Sequence, residues 1–427
     1  PSPSGKNSAG KMRILALSAQ VPYPPHHGKA MRDYYLLSGL ARGHDLYLLC
    51  LARDAEEVAA AAPLERLFPF AAVPRPAHRL PVRLTTLLFS RTPDLVRRCA
   101  SPAFRRLLGE HLLRHPPDVL LVEGLEMAAH GLWARERLRR LGRPLPRLVL
   151  DEHNAEYLLQ RRAWEIARRE RRFVAALYSW LQAGRLRRFE ARACRTADQV
   201  LAASPADRAA LLQLAPQTPI AVIPNGVDSA AYAPLPPSPE PRTPTLVFTG
   251  RMDFRPNVDA VQWFIQEIWP RVRAAVPEAR FQIVGRSPTP AVEALRKLPG
   301  VEVVGAVPDD RPYIGRADLY VLPMRFGGGI RFKLLQALSM ERAVVSTPLG
   351  AEGVEGLVDG EHLRLAAGAK EFAACVVELL RRPEERSRLG KAGRKLVSSC
   401  YDWQAILPRL EAALTDCCSG GWPCASP

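Results

Sequence analysis

The sequence predicts an α/β protein built from two doubly wound parallel sheets in succession, and three observations carry that prediction. Short apolar runs alternate with amphipathic helical segments in two successive series. At 427 residues the chain exceeds one ordinary hydrophobic core, so two domains are expected. Between the series lies PLPPSPEPRTP at 234–244, which can be neither helix nor central strand and reads as a linker.

In the first series, RILALS at 13–18 is the opening strand, and 30–42 is a helix with Tyr34, Leu37 and Leu40 on one face. Strands follow at 45–51, 118–123 (DVLLVE) and 147–151 (RLVLD). QVLAAS at 199–204 ends in a serine placed to cap the next helix, and 221–224 is a short strand before Asn225-Gly-Val-Asp228. The second series restarts at 245–249, with further strands at 280–284, 301–304, 319–322 and 343–346. A helix is expected at 332–339, where Leu334, Leu335 and Leu338 form an apolar stripe. The expected divisions are a disordered leader at 1–11, a first domain at 12–232, the linker at 233–244, a second domain at 245–400, a terminal segment at 401–415 and a disordered tail at 416–427. In such sheets ligands bind beyond the carboxyl ends of the strands, so the cleft between two such domains is the natural site.

The composition describes a soluble globular protein, with 47% hydrophobic and 24% charged residues. No apolar stretch approaches the roughly 20 uncharged residues of a spanning helix. The eight cysteines form no CxxC pair and have no histidines at zinc spacing, as expected of reduced thiols in a cytoplasmic protein. The net charge of +17 is concentrated between Arg161 and Arg195, where eleven arginines face three glutamates. A solvated helix ranks first for this segment and peripheral contact with an anionic membrane second. Nucleic acid ranks a distant third, because no helix-turn-helix, zinc-finger or RNA-binding signature accompanies the charge; no nucleic-acid partner is expected.

Four groups of residues at strand ends can carry chemistry. Pro22-Tyr-Pro-Pro-His-His-Gly-Lys-Ala-Met-Arg32 closes on Gly28 before a helix, and includes His27, Lys29 and Arg32. Its backbone N–H groups can meet a ligand oxygen, although an ordinary loop looks the same. Asp151-Glu-His-Asn154 places His153 among carboxylates, which suits acid–base work or hydrogen bonding to hydroxyls, and equally a structural pair. Phe248-Thr-Gly-Arg-Met-Asp-Phe-Arg255 sets Arg251 after strand-ending Gly250, a position for phosphate. Finally, Gly327-Gly328-Gly329-Ile330-Arg331-Phe-Lys333 opens a helix, where bare N–H groups, the helix dipole and two cations suit a diphosphate. It is not a Walker loop, since Lys333 comes too late.

Together these motifs resemble the GT-B glycosyltransferases of family 4, with the likeness running from Arg13 to about Leu414. It is carried by PYPPHHGKAMR, DEHN, ADQVLAAS, VIPNGVD, GRMDFRPNVDAVQWF, FQIVGR, ADLYVLP, GGGIRFKLLQALSM, VVSTPLGAEGV and YDW. The opening motif and the PNVDAVQWF stretch particularly resemble sugar transferases of bacterial exopolysaccharide loci. The resemblance implies two Rossmann-like domains facing across a cleft, with a C-terminal helix after Tyr401 crossing back to the first. It implies retaining transfer from a nucleotide diphosphate sugar of UDP or GDP type to a saccharide or lipid-linked saccharide. His153, Arg251 and Lys333 would be the catalytic group. Gly28, Gly250, Arg255, Gly285, Gly327, Gly328, Gly329, Ile330, Arg331 and Gln336 would bind the donor. His27, Lys29, Arg32, Asp151 and Asn154 would lie on the acceptor side. No DxD-like motif stands at a strand end, so neither cofactor nor metal is expected.

The sequence departs from the family where many relatives carry two glutamates. Gln336 takes the place of the ribose-binding one and Gly328 that of the other, which weakens donor binding by about 1–2 kcal/mol. Two rival readings follow: a nucleotide-sugar epimerase of the same architecture, and a catalytically weak nucleotide-sugar-binding partner subunit.

Overall fold

The computed structural model describes residues 10–25, 28–76, 90–169, 171–236, 243–326 and 332–419. The chain divides into two compact units, Pro1–Pro224 with Leu407–Pro427, and Asn225–Ile406. The expected first-domain boundary at 232 lies inside the second unit. The reason is local: Val227 bridges to Asp402, and the Ser229 backbone N–H donates to the Asp402 carboxylate at 3.0 Å.

The first unit holds seven parallel strands, β1 (Arg13–Ser18), β2 (Asp45–Ala52), β3 (Phe70–Pro74), β4 (Val119–Glu123), β5 (Arg147–Glu152), β6 (Gln199–Ala202) and β7 (Ile220–Val222), in the order β3-β2-β1-β4-β5-β6-β7. Strand β3 escapes the sequence pattern because only Val73 of its five residues is buried. Order reverses between β1 and β4, the switch point where a doubly wound sheet opens a crevice. The register aligns Ser18 with Glu123 and Glu123 with Asp151, a row of polar side chains across the carboxyl ends of three apolar strands. Ser204 caps the Pro205–Leu214 helix as expected, its hydroxyl accepting from the Asp207 N–H at 3.1 Å.

The second unit holds six parallel strands, β8 (Thr245–Thr249), β9 (Arg280–Val284), β10 (Val301–Gly305), β11 (Leu319–Leu322), β12 (Ala343–Ser346) and β13 (Arg364–Leu365), in the order β10-β9-β8-β11-β12-β13. Its switch point lies between β8 and β11. The last helix, Trp403–Ser419, runs beyond the expected limit of 415. Cys417 and Cys418, expected in an unstructured tail, stand on its last turn, since neither glycine nor proline interrupts the chain there. No described helix is long and apolar enough to cross a membrane.

Candidate functional site

In the first unit, the carboxyl ends of β1, β4 and β5 and the Gly28–Gly43 helix bring a dense set of charges together. Arg32, 1% exposed, donates to both carboxylate oxygens of Asp151 at 2.7 and 2.6 Å, and to the Ile223 carbonyl at 2.8 Å. One helical turn back, Lys29 pairs with Glu126 at 2.9 Å and donates to the Glu123 carbonyl at 3.1 Å. Its ammonium lies 3.4 Å from Nδ1 of His153. The other imidazole nitrogen, Nε2, faces three carboxylates: Glu123 at 3.4 Å, Asp151 at 3.5 Å and Asp33 at 3.6 Å. Asp33 accepts from the Ser18 hydroxyl at 2.8 Å, while its other oxygen, Oδ1, lacks a hydrogen-bond partner among the described residues.

Lys29, Arg32 and protonated His153 thus meet four carboxyl groups, and one carboxyl gains by holding a proton. Burial, reinforced by the Asp151 charge, pushes Glu123 up to about 8. Burial also pulls on Asp151, but the Arg32 guanidinium outweighs it and holds that carboxyl well below the usual range. For His153, burial and Lys29 oppose protonation. Hydrogen bonds to Asp151 and Glu123 prevail and raise it to about 9. The imidazole is therefore a cation at neutral pH, held between an ammonium and a carboxylate row. Asp33, Glu123 and His153 could also hold a metal, since one ligating atom from each lies within 4.8 Å of the others. The adjacent Lys29 ammonium, within reach of His153 Nδ1, already supplies positive charge at that place.

Behind this row, Glu152 is fully buried and neither carboxyl oxygen finds a partner among the described residues. Burial and the neighbouring Glu190 raise its pKa well above the usual range. Asn154 bonds Glu156, which burial and Glu126 push up to about 7.

The second unit gathers its own set at β8 and β9. Gly250 and Gly285 end the two strands with φ of +147° and +151°, conformations that L side chains rarely adopt. A Cβ on Gly285 would stand 1.8 Å from the Gly250 carbonyl oxygen, and one on Gly250 would stand 2.6 Å from Nζ of Lys333. The glycines therefore allow backbone and ammonium to converge. Lys333 donates to the Asn257 side-chain carbonyl at 2.8 Å and lies 4.2 Å from the centre of the Phe248 ring. Asn257 in turn donates to the Arg251 carbonyl at 2.9 Å. The half-exposed Arg251 guanidinium is paired with Asp253 at 2.8 Å. Arg255 lies over Phe326, 5.1 Å from the ring centre, and Gln336 is buried on the Phe332–Ser339 helix. Gly28 opens the Gly28–Gly43 helix.

His27, Gly327, Gly328, Gly329, Ile330 and Arg331 lie outside the described residues. Asp33, Glu123 and Glu126 were missed in sequence, whereas Asn257 stands near the spacing expected for a second residue after the Gly-Arg pair. The signal for Glu123 was present: a carboxylate closing the apolar strand DVLLVE has little reason to sit there without a partner.

Residues 34–231 match the family model described as Glycosyltransferase Family 4, and 243–382 match Glycosyl transferases group 1. A Klebsiella pneumoniae protein, the "uncharacterized 44.6 kDa protein in cps region", is 27% identical over 174 residues, covering 39% of this chain and 44% of that one. A phosphatidyl-myo-inositol mannosyltransferase of Propionibacterium freudenreichii subsp. shermanii is 28% identical over 177 residues, covering 40% and 43%. The matches thus span less than half of each relative. The crystal structure of Anabaena Alr3699/HepE in complex with UDP, a protein also solved with UDP-glucose, is similar in fold. It has a TM-score of 0.66 at 15% identity, over 95% of this chain and all of that one.

Proposed function

The chain is a family 4-like glycosyltransferase of the GT-B type, and from that premise we propose that it transfers a hexose, with retention, from a nucleoside diphosphate sugar to a hydroxyl of a saccharide or lipid-linked saccharide. The observation that carries the donor half is the Lys333 ammonium, joined through Asn257 to the Arg251 backbone carbonyl at a strand end walled by Gly250 and Gly285, with the half-exposed Arg251 guanidinium on the same loop. Cations at bare backbone suit a diphosphate. UDP is the first nucleotide to test, because it is bound in the similar fold of Alr3699/HepE.

In this reading Lys333 and Arg251 take up the negative charge that grows on the leaving diphosphate, so no metal is required. The acceptor hydroxyl attacks the anomeric carbon on the face the diphosphate leaves. Its proton passes to the departing phosphate oxygen, and one C–O bond forms as the other breaks. In the first unit, the polar row around His153 suits hydrogen bonding to the hydroxyls of a saccharide acceptor.

A thermal-shift screen with UDP, GDP, ADP, dTDP and their common sugar conjugates, in EDTA, tests the proposal. A ligand at 100 times its dissociation constant adds about 2.7 kcal/mol of stability. Selective stabilisation by one nucleotide series is expected. Stabilisation by none would overturn the donor reading, and stabilisation only after adding a divalent cation would overturn metal independence.

A further inference from the structure

The helix Phe173–Thr196 turns one face inward and leaves an apolar stripe outside. Its buried residues, Ala176, Ser179, Gln182, Leu186, Glu190 and Ala193, recur at helical spacing on one side. About half a turn away stand Phe173, Leu177 and Trp180, exposed at 73%, 58% and 57%, with Val174 beside them at 86%. No other stretch of the described residues exposes four large apolar side chains so close together. Burial of the inward side means that the fold does not need this stripe for its core.

Charge frames the stripe at both ends. Arg168, Arg169 and Arg171 are exposed at the turn joining this helix to Glu156–Arg169, where Arg171 takes a φ of +57°. Three and four turns beyond Phe173, the same outer face continues through Gly184 to exposed Arg187 and Arg188. An aqueous partner explains the arginines but not the four apolar groups, and an apolar partner explains the reverse. An amphipathic face with cations around a Phe/Trp/Leu centre fits the boundary between anionic headgroups and acyl chains.

We propose that this helical hairpin seats the first unit on an anionic lipid bilayer, with Phe173, Val174, Leu177 and Trp180 entering the headgroup–acyl boundary and the flanking arginines meeting lipid phosphates. The proposal does not depend on the donor or on the transfer reaction. It adds an apolar insertion surface to the charge that alone suggested membrane contact in the sequence.

The test is flotation of the whole chain with vesicles of phosphatidylcholine alone, or of phosphatidylcholine with one quarter phosphatidylglycerol, at 50 and 500 mM salt. Two double variants accompany it, Leu177→Ser with Trp180→Ser, and Arg187→Glu with Arg188→Glu. All four side chains are exposed, so unchanged thermal melting is expected. Binding to the anionic vesicles should exceed that to neutral ones at least tenfold at 50 mM salt, and each double variant should lose at least tenfold. Equal binding to both vesicles, or wild-type binding by the Leu177/Trp180 variant, would overturn the proposal. So would light scattering that shows a dimer in the wild type and a monomer in that variant, because the stripe would then be covered by a second copy.

Discussion

Replacing Arg32 by Met removes the cation on which the buried polar row depends. Both partners of the Arg32–Asp151 pair are 1% exposed, and the guanidinium makes two bonds to the carboxylate and one to the Ile223 carbonyl. Arg32→Met leaves Asp151 buried with only His153 as a cationic neighbour. Breaking one side of such a pair costs about 3–5 kcal/mol, far more than an exposed ion pair is worth. The pH dependence distinguishes this from a packing defect. Asp151 has a depressed pKa in the native state, so its contribution to stability is present above the unfolded value near 3.8 and is lost as pH falls through the native one. Without Arg32 the native carboxyl binds a proton more readily. The destabilisation should therefore be largest at pH 7–8 and shrink towards pH 5. Urea unfolding followed by the circular dichroism of the whole chain measures it, at pH 5.0 and 7.5. A second variant, Asp151→Leu combined with Arg32→Met, should recover part of the loss by removing the orphaned charge. A loss below about 1 kcal/mol, or an equal loss at both pH values, would refute the argument that the pair is an electrostatic necessity.

Three further outcomes can be checked independently. Gly285→Ala forces a Cβ to within 1.8 Å of the Gly250 carbonyl at a φ of +151°, so it should cost about 2–4 kcal/mol and abolish nucleotide-dependent thermal shifts, whereas an unshifted melting point would show that the loop yields freely. Lys333→Ala should leave the unliganded melting point nearly unchanged but weaken UDP by about ten- to a hundredfold, the worth of one charge-assisted contact at ~1.5–3 kcal/mol, as isothermal titration would show. Glu152→Gln should stabilise the chain at pH 8. The native carboxyl, raised by burial and by Glu190, keeps a proton that the unfolded chain sheds above about 4.5. Wild-type stability therefore falls as pH rises, by up to ~1.4 kcal/mol per pH unit for that proton, and a variant with the same pH slope as wild type would contradict the assignment.

The sequence disclosed elements wherever apolar character was continuous, and failed where tertiary pairing decided the outcome. RILALS, TLVFT and LYVL are buried almost throughout and could be little else than central strands. Phe70–Pro74 is an edge strand with one buried residue, and Arg364–Leu365 is a strand only because β12 lies beside it. The site followed the same rule. DEHN and the Gly-Arg pair were visible because unusual residues sit together in the chain, yet their partners come from a distance. Asp33 reaches His153 from the Gly28–Gly43 helix, and Glu123 reaches it from the neighbouring strand. Asn257, six residues beyond Arg251, joins that arginine's backbone to Lys333, seventy-six positions further along the chain. Arg32 shows what this means for function. In sequence it is one more cation in a loop that faces a ligand; in the folded chain it is spent on Asp151, and that pairing leaves His153 and Glu123 to share protons in its place. Spacing along the chain can indicate which residue types are present at a strand end, but only the parallel register decides which of them are neutralised by one another and which remain available to a substrate.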